Sequence, residues 1–401
     1  MNISFQDYRK DDIHGVSLYP ATMIAPVQNL VMKSIIETDE IITVYDPYHG
    51  SGTSLYEAVK IDDKCEVYGF DINPLANLLT YIKLKGVTKN ILEDINTVKE
   101  LVKTAPDIPL EFDNIEKWFR KDIIVSLSKI RWSIIQIKSK RNRLYFWSVF
   151  SKLVRKYSNS RSSTYKLHIR KSEDIFKIKN NVIGEFLTEI KVNAKKFNIK
   201  AKHVNLIKGD VLKLGYKIKP NSIDLTITSP PYGDNQTTVT YGQFSSLPLF
   251  WIDKKDLKLE GWELDNYSII DRKSLGGSNK NQLSEIGIEL ISPYLSKISQ
   301  IKQKKVINFF ADYFISLDHI CDVTKKYIVM TLGNRTVDGT NIDLTSITSK
   351  YLEIKGFENL QLLDRTIPNK RMASIVSYKE GNPIYSMNKE YVIIHKKKFL
   401  Q

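Results

Sequence analysis

Residues 41–61 read IITVYDPYHGSGTSLYEAVKI. An apolar β-branched run ends on Asp46, a turn holding Gly50 and Gly52 follows, and an amphipathic helical pattern begins at Thr53. That is strand, glycine turn, helix, the opening unit of a parallel α/β sheet. A second unit follows at once, with EVYGFDI (66–72) as a buried strand and PLANLLTYIKL (74–84) as a helix. The alternation then stops. Residues 89–202 read as helices, among them DIIVSLSKIRWSIIQIKSK and LYFWSVFSKLVRKY, whose apolar residues recur at spacings of three and four. Strand patterns resume at VNLIKGD (204–210) and SIDLTITSPP (222–231). A helical region runs to about Lys325, YIVMTLGN (327–334) reads as a strand, 342–355 as a helix, and LQLLDRTI and YVIIHKK as two last strands. The expected fold is a doubly wound, mostly parallel seven-stranded Rossmann-like sheet, built from residues 1–88 and 203–401 and interrupted by a helical insert at 89–202.

Composition narrows the function classes. The 401 residues carry 60 Lys and Arg against 45 Asp and Glu, a formal charge of +15, which favours nucleic acid as a partner. Between Lys117 and His203 there are 23 Lys and Arg against 5 Asp and Glu, a surplus of 18, so the rest of the chain is about −3. No apolar run approaches the roughly 18 residues that span a bilayer. The polar start MNISFQDYRKDD suits neither a signal nor a transit peptide. Cys65 and Cys321 are too few for a disulfide framework or a multi-cysteine metal site. A reducing cytoplasm, no membrane and no metal are expected.

Three acidic residues end successive strands: Asp46, Asp71 and Asp210. A glycine turn lets backbone approach a ligand closely, and a carboxylate at the second strand tip is placed for ribose hydroxyls. The turn lacks the GK[ST] ending of a phosphate loop, which disfavours a nucleoside triphosphate. Asp71-Ile72-Asn73-Pro74 equally suits a helix start, and both readings can hold together. Ser229-Pro230-Pro231-Tyr232 follows an apolar strand. The two prolines fix the backbone and cannot continue a ladder, their carbonyls lack local donors, and an aromatic ring comes next.

Taken together these residues resemble the amino-methylating DNA methyltransferases, with a cofactor motif DPFxGSGT and a catalytic motif (D/N/S)PPY. The first stands here as Asp46-Pro47-Tyr48-His49-Gly50-Ser51-Gly52-Thr53, with Tyr48 where Phe is usual, and the second as Ser229-Pro230-Pro231-Tyr232. The upstream cofactor segment of that family resembles Tyr19-Pro20-Ala21-Thr22, and its acidic strand ends match Asp71 and Asp210. The resemblance implies S-adenosylmethionine as cofactor, bound by these segments together with Ile72 and Asn73. It implies double-stranded DNA as substrate and leaves room for a cognate restriction endonuclease. Cofactor motif, insert and catalytic motif follow in the order of the subgroup whose recognition module lies between the two.

The implied chemistry is methyl transfer to an exocyclic amine, without covalent intermediate or metal. Amino protons bonded to the Ser229 hydroxyl and the Pro230 carbonyl would aim the nitrogen lone pair, and Tyr232 would stack on a flipped base. In the family, Ser at the first catalytic position usually accompanies cytosine N4, and Asp or Asn accompanies adenine N6. Cytosine is therefore expected, with adenine the alternative, and an RNA guanine methyltransferase or a non-catalytic nucleic-acid binder further off. DNA contacts are expected from the basic insert, where Arg141, Arg143, Arg155 and Arg161 are interleaved with Trp118, Phe119, Trp132, Tyr145 and Trp147. They are also expected from Tyr241 and Phe244 after the catalytic loop, and from Arg365, Lys370 and Arg371 around a proline turn.

Overall fold

The computed structural model describes residues 3–235, 238–258, 268–277, 281–367, 375–379, 382–385 and 388–398. Its strands, in chain order, are β1 (Thr43–Asp46), β2 (Glu66–Asp71), β3 (Val204–Lys208), β4 (Ile223–Thr228), β5 (Thr324–Leu332), β6 (Arg335–Val337), β7 (Thr340–Ile342), β8 (Phe357–Thr366), β9 (Ile375–Lys379), β10 (Asn382–Tyr385) and β11 (Lys389–Lys397). Seven of them form one sheet in the order β3-β2-β1-β4-β5-β11-β8. β1 to β5 pair in parallel, and only β11 runs against its neighbours. The expected mostly parallel, seven-stranded doubly wound sheet is therefore the fold. The strand order reverses between β1 and β4, and ligands bind such sheets at that switch point, beyond the carboxyl ends of the strands.

Helices α1 (Ala25–Ile36), α2 (Thr53–Ile61) and α3 (Pro74–Lys85) accompany the first two strands. The segment between β2 and β3 continues through α4 (Ile91–Thr104), α5 (Ile115–Trp118), α6 (Lys121–Gln136), α7 (Lys140–Tyr157), α8 (Ser172–Phe176) and α9 (Val182–Asn193). After β3 and β4 come α10 (Val211–Leu214), α11 (Tyr241–Trp251), α12 (Lys254–Leu257), α13 (Ser268–Lys273), α14 (Glu285–Leu295), α15 (Gln300–Val323) and α16 (Leu344–Ile354). Local chemistry sets several starts. Asn73 caps α3, accepting the Leu75 N–H at 3.0 Å with Pro74 in the first turn, and Ser139 caps α7.

Alternation along the strands divides the core. In β5, Tyr327 and Val329 enter a cluster with α1, α2 and α3, while Ile328, Met330 and Leu332 face α14, α15 and α16 on the other side. The first cluster continues into the helices of 89–202. Trp118, Phe119, Tyr145 and Trp147, interleaved in sequence with the basic residues of the insert, are buried members of it. Rings enclosed by neighbouring helices have no face left for a base, so the aromatics of the insert are core and any DNA contact falls to its basic residues. Trp132 is half-buried.

Two arginines of that segment are likewise engaged within the fold. Arg143 grips buried Asp256 of α12 through Nε (2.9 Å) and Nη2 (2.8 Å), and the Trp147 indole donates to the same carboxylate at 2.8 Å. Arg131 donates to the Trp251 carbonyl and pairs with Asp253. Removing one partner of a buried pair leaves the other charge without compensation, which costs about 3–5 kcal/mol. Arg143 would retain the Ile137 carbonyl, so Asp256→Ala is expected to cost about 3 kcal/mol, near the lower end of that range. The loss should appear as a lower urea midpoint at unchanged slope, and a shift worth under 1 kcal/mol would contradict the assignment.

Candidate active site

A cleft opens at the switch point, where ligands bind sheets of this kind. It gathers most of the residues singled out from sequence. Tyr19, Pro20, Ala21 and Thr22 border it on one side. Pro47, Tyr48, Gly50, Ser51 and Thr53 border it from the glycine loop, and Asp71, Ile72, Asn73 and Asp210 from the next strand tips. Ser229, Pro231 and Tyr241 complete the wall on the catalytic-loop side.

The glycine loop is held from beneath by one face of α3. Asn77, Thr80 and Lys83 recur every three residues and so share a face. Asn77 Oδ1 lies 3.3 Å from His49 Nε2, Thr80 donates to the Gly50 carbonyl at 2.9 Å, and Lys83 Nζ donates to the Ser51 carbonyl at 2.8 Å. Gly52 has φ +75°, and a Cβ there would lie 2.6 Å from the Thr80 side chain, so both conformation and space require glycine. Asp71 accepts the Gly50 N–H at 2.9 Å and the Asn73 N–H at 2.7 Å, which locks loop to strand tip and leaves further lone pairs for a ligand. Burial raises its carboxyl. Asn73 Nδ2 donates to Tyr19 Oη at 3.1 Å and to Ser245 at 2.7 Å, so the upstream segment and α11 meet over this tip.

Asp46 does not border the cleft. Its buried carboxylate accepts from Ser54 Oγ, from Thr228 Oγ1 at 2.6 Å and from the Tyr48 N–H at 3.0 Å. Burial raises its carboxyl, while the Ser54 and Thr228 hydroxyls act the other way. Tyr48, the departure from the usual Phe, has a use for its hydroxyl, which donates to Ser316 of α15 at 2.5 Å. Asp210 caps α10 through the Leu212 N–H at 3.0 Å, and burial raises its carboxyl as well.

On the other side, Ser229 Oγ and Tyr232 Oη lie 3.2 Å apart. Pro230 is buried between Ser229 and Pro231, which both border the cleft. Tyr232 borders a second, much smaller cavity with Phe309, Phe310 and Arg335. Asn334 caps toward α16 by accepting from Thr345, while Arg335 pairs with Asp234 of the catalytic loop at 3.1 Å. Tyr241 stands beside Tyr19, with ring centroids 5.8 Å apart. Phe244, one turn further on, is buried beneath the Arg155 guanidinium at 4.6 Å and away from the cleft.

The remaining basic candidates are scattered. Arg155 is buried and burial pulls it down to about 10, Arg161 is exposed, and Arg141 is half-buried. Arg365 is buried and bound to Glu390 of β11 through Nε and Nη2. Its expected place in a DNA-facing turn is corrected by that pairing, while Lys370 and Arg371 lie outside the described residues. Among the described residues no cluster of three His, Cys, Asp or Glu is placed to hold a metal, and Cys65 and Cys321 are free thiols.

Sequence reasoning missed one whole wall. Ile270, Lys273, Ser274 and Leu275 border the cleft, and Asp271 of α13 caps α11 by accepting the Gly242 and Gln243 N–H groups at 2.9 and 3.2 Å. Burial pushes the Asp271 carboxyl up to about 6. Asn235, six residues beyond Ser229, also borders the cleft. The polar stripe of α3 was the one legible signal, since Asn77, Thr80 and Lys83 interrupt an otherwise apolar helix.

No family model matches the chain. It is 31% identical over 426 aligned positions, taking in 96% of this chain and 91% of the relative, to the Type II methyltransferase M.MvaI of Kocuria varians. Among solved structures it overlaps the rRNA methyltransferase aviRa of Streptomyces viridochromogenes at 10% identity and a TM-score of 0.33, covering 95% of this chain and 90% of that one. It overlaps the YcgJ protein of Bacillus subtilis at 9% identity and a TM-score of 0.31, covering 93% and 99%. Overlaps this slight carry no structural argument.

Lys83 gives the site a pH signature. Burial pulls its ammonium down to about 7, with Lys10 adding to the effect and Asp12 and Glu57 opposing it. An unfolded lysine titrates near 10.4. Between those values the unfolded chain holds a proton that the native one lacks, so stability rises with pH across the window and is lost as pH falls toward 7. The Tm of the wild type relative to Lys83→Met should therefore rise between pH 7 and pH 10. Parallel Tm profiles for the two proteins would refute this.

Proposed function

The chain belongs to the family of type II methyltransferases, and on that footing we propose that it transfers a methyl group from S-adenosylmethionine to N4 of cytosine in double-stranded DNA. The observation that carries this reading is the shared cleft, in which the glycine loop and the Ser229 loop face one space across the β1–β4 switch point. A nucleoside cofactor fits the residues on its first side: a glycine turn without room for side chains, and the Asp71 and Asp210 carboxylates at adjoining strand tips as acceptors for its hydroxyl and amino groups. When bound, that cofactor supplies an electrophilic methyl on a sulfonium. Ser51, Gly50 and Tyr19 would hold it against the wall, and the α3 contacts keep the loop from shifting.

The chain's own contribution is orientation. An exocyclic amine is a poor nucleophile because its lone pair is conjugated with the ring. Ser229 Oγ, by accepting one amino proton, favours a pyramidal nitrogen aimed across the cleft, and the hydrogen bond with Tyr232 holds that hydroxyl in place. Stacking on a flipped base, the role expected of Tyr232, requires its ring to turn from the smaller cavity, whereas Tyr241 already stands at the cleft wall. The choice of cytosine rests on the hydroxyl at position 229. Digestion of DNA methylated by the protein should yield N4-methylcytosine by mass spectrometry, and N6-methyladenine as sole product would overturn the choice. Ser229→Ala should lower turnover on the order of 10²-fold with cofactor affinity unchanged.

DNA is attracted by the insert through its exposed cations, with affinity that falls steeply as salt rises. Because the insert shares its core with the sheet, removing it would unfold the protein, so charge neutralisation is the proper test. Arg161→Ala and Lys171→Ala, both at exposed positions, should each reduce the slope of log affinity against log salt by about 1 while cofactor binding is unaffected. An unchanged slope in both would remove the insert from the DNA interface.

A further inference from the structure

A short ribbon of the insert lies beside the base side of the cleft. Ser160 and Ile169 form an antiparallel bridge, and the Arg161 N–H donates to the His168 carbonyl at 2.8 Å. The root is fixed from both strands. The Asn159 N–H donates to the Trp118 carbonyl at 2.7 Å, and Arg170 Nε donates to the Ser160 carbonyl at 2.8 Å. The ribbon rests on α11: the Leu167 N–H donates to Gln243 Oε1 at 3.3 Å, and the Tyr165 ring meets Phe244 edge to face, with centroids 6.1 Å apart. Phe244 follows Tyr241 of the cleft wall by one helical turn. Arg161, Ser162, Ser163 and His168 remain exposed. No Asp or Glu occurs between Asp122 and Glu173, a run that holds 13 Lys and Arg. Among the described residues none of Arg161, Lys166, Arg170 and Lys171 is paired with a carboxylate.

We propose that this ribbon, residues 160–169, lies in a groove of the duplex and reads the base pairs adjoining the extruded base, a role that rests on the methyltransferase reading above. Its uncompensated charge fits a polyanion. A two-stranded ribbon has the width that the major groove admits. Position selects which pairs it meets. From Tyr241 through Phe244 to Tyr165 the path is on the order of 10 Å, or about three base-pair steps of roughly 3.4 Å. The ribbon therefore meets pairs next to the target rather than distant ones. Its exposed side chains suit base edges: the Ser162 and Ser163 hydroxyls donate and accept, and the His168 imidazole has two ring nitrogens for the same purpose, whereas a lysine ammonium only donates. Anchorage at Trp118 and Arg170 holds the ribbon in one shape before DNA arrives, which lowers the ordering cost of binding. Cations elsewhere on the insert position the duplex, and the ribbon specifies its sequence.

The test expresses the full-length protein in a host free of other DNA methylation and reads the methylated motif by long-read sequencing. Three proteins are compared: the wild type, a triple variant with Ser162→Ala, Ser163→Ala and His168→Ala, and a charge control with Lys138→Ala and Lys191→Ala, both exposed and away from the ribbon in sequence. The triple variant should keep its Tm, cofactor affinity and target base. Its motif should become degenerate at one or two positions beside that base, with discrimination there falling about tenfold. The control should keep the motif and bind every duplex more weakly. An unchanged motif in the triple variant, or equal degeneracy in the control, would overturn the inference. A triple variant too slow to mark host DNA leaves the decision to hydrogen exchange in the wild type. Its amides at 160–169 should slow when a duplex carrying the motif is added, and no protection there would overturn the inference equally. Failure of the wild type to methylate any DNA would instead overturn the functional reading beneath it.

Discussion

The buried carboxylate of Asp46 is the fastening on which the site depends. It ends β1, yet its oxygens turn away from the cleft to Ser54 of α2, to the Tyr48 amide in the glycine loop, and to Thr228, the last residue of β4. Thr228 immediately precedes Ser229. One group therefore fixes the distance between the wall that would hold a cofactor and the wall that would hold a base. The β1–β4 ladder is short, with Val44 opposite Leu225 and Tyr45 opposite Thr226. At its other end Asp224 accepts from the Ile42 and Thr43 amides and the Thr43 hydroxyl, with Lys325 and Lys326 beside it. Strands joined by so few backbone bonds are clasped at both ends by carboxylates, which is what a switch point needs where the sheet opens to admit a ligand.

Charge in the insert divides into two populations. Arg120, Lys121, Lys129, Arg131, Arg143, Lys152, Lys156 and Lys177 meet carboxylates within the protein. Against a surplus of 18, those pairs leave most of the field intact, and exposed Lys138, Lys140, Lys171, Lys179, Lys191 and Lys200 carry it to solvent. Exposed pairs contribute little stability, so their function lies elsewhere. The aromatics, by contrast, serve the interior. The insert pairs an apolar, aromatic inner surface with a cationic outer one.

Much of the fold was legible because its signals are local. A buried strand followed by a glycine turn needs no knowledge of distant residues, and neither does Pro74 behind a capping Asn73. What escaped required tertiary information. Nothing in YVIIHKK says that β11 will insert between β5 and β8 against the direction of the sheet. The short β6–β7 hairpin, and the pairing that takes Arg365 away from a turn, are likewise invisible in a window of ten residues. Asp46 illustrates the limit within the site itself. Its position in a motif marks it as functional, but only packing shows that its carboxylate faces a strand end.

The wall formed by α13 shows why the second half of a site is harder to read than the first. The glycine loop is constrained by backbone geometry, which permits few residues and so leaves a motif. Asp271, Lys273, Ser274 and Leu275 act through side chains brought over the cleft by a long connection, and many sequences could supply such a wall. Asp271 nonetheless couples it to the base side. Its carboxylate holds the first amides of α11, the helix that carries Tyr241, and a negative charge suits that helix end. As pH falls through about 6 that charge is lost and the cap weakens. Tyr241 and Tyr19 meet across the same gap, so the aromatic edge of the cleft depends on a residue thirty positions downstream of the helix it caps. The cofactor side is fixed by its loop, whereas the base side is assembled from three separate segments, which leaves its residues free to vary with the sequence a DNA-modifying enzyme must recognise.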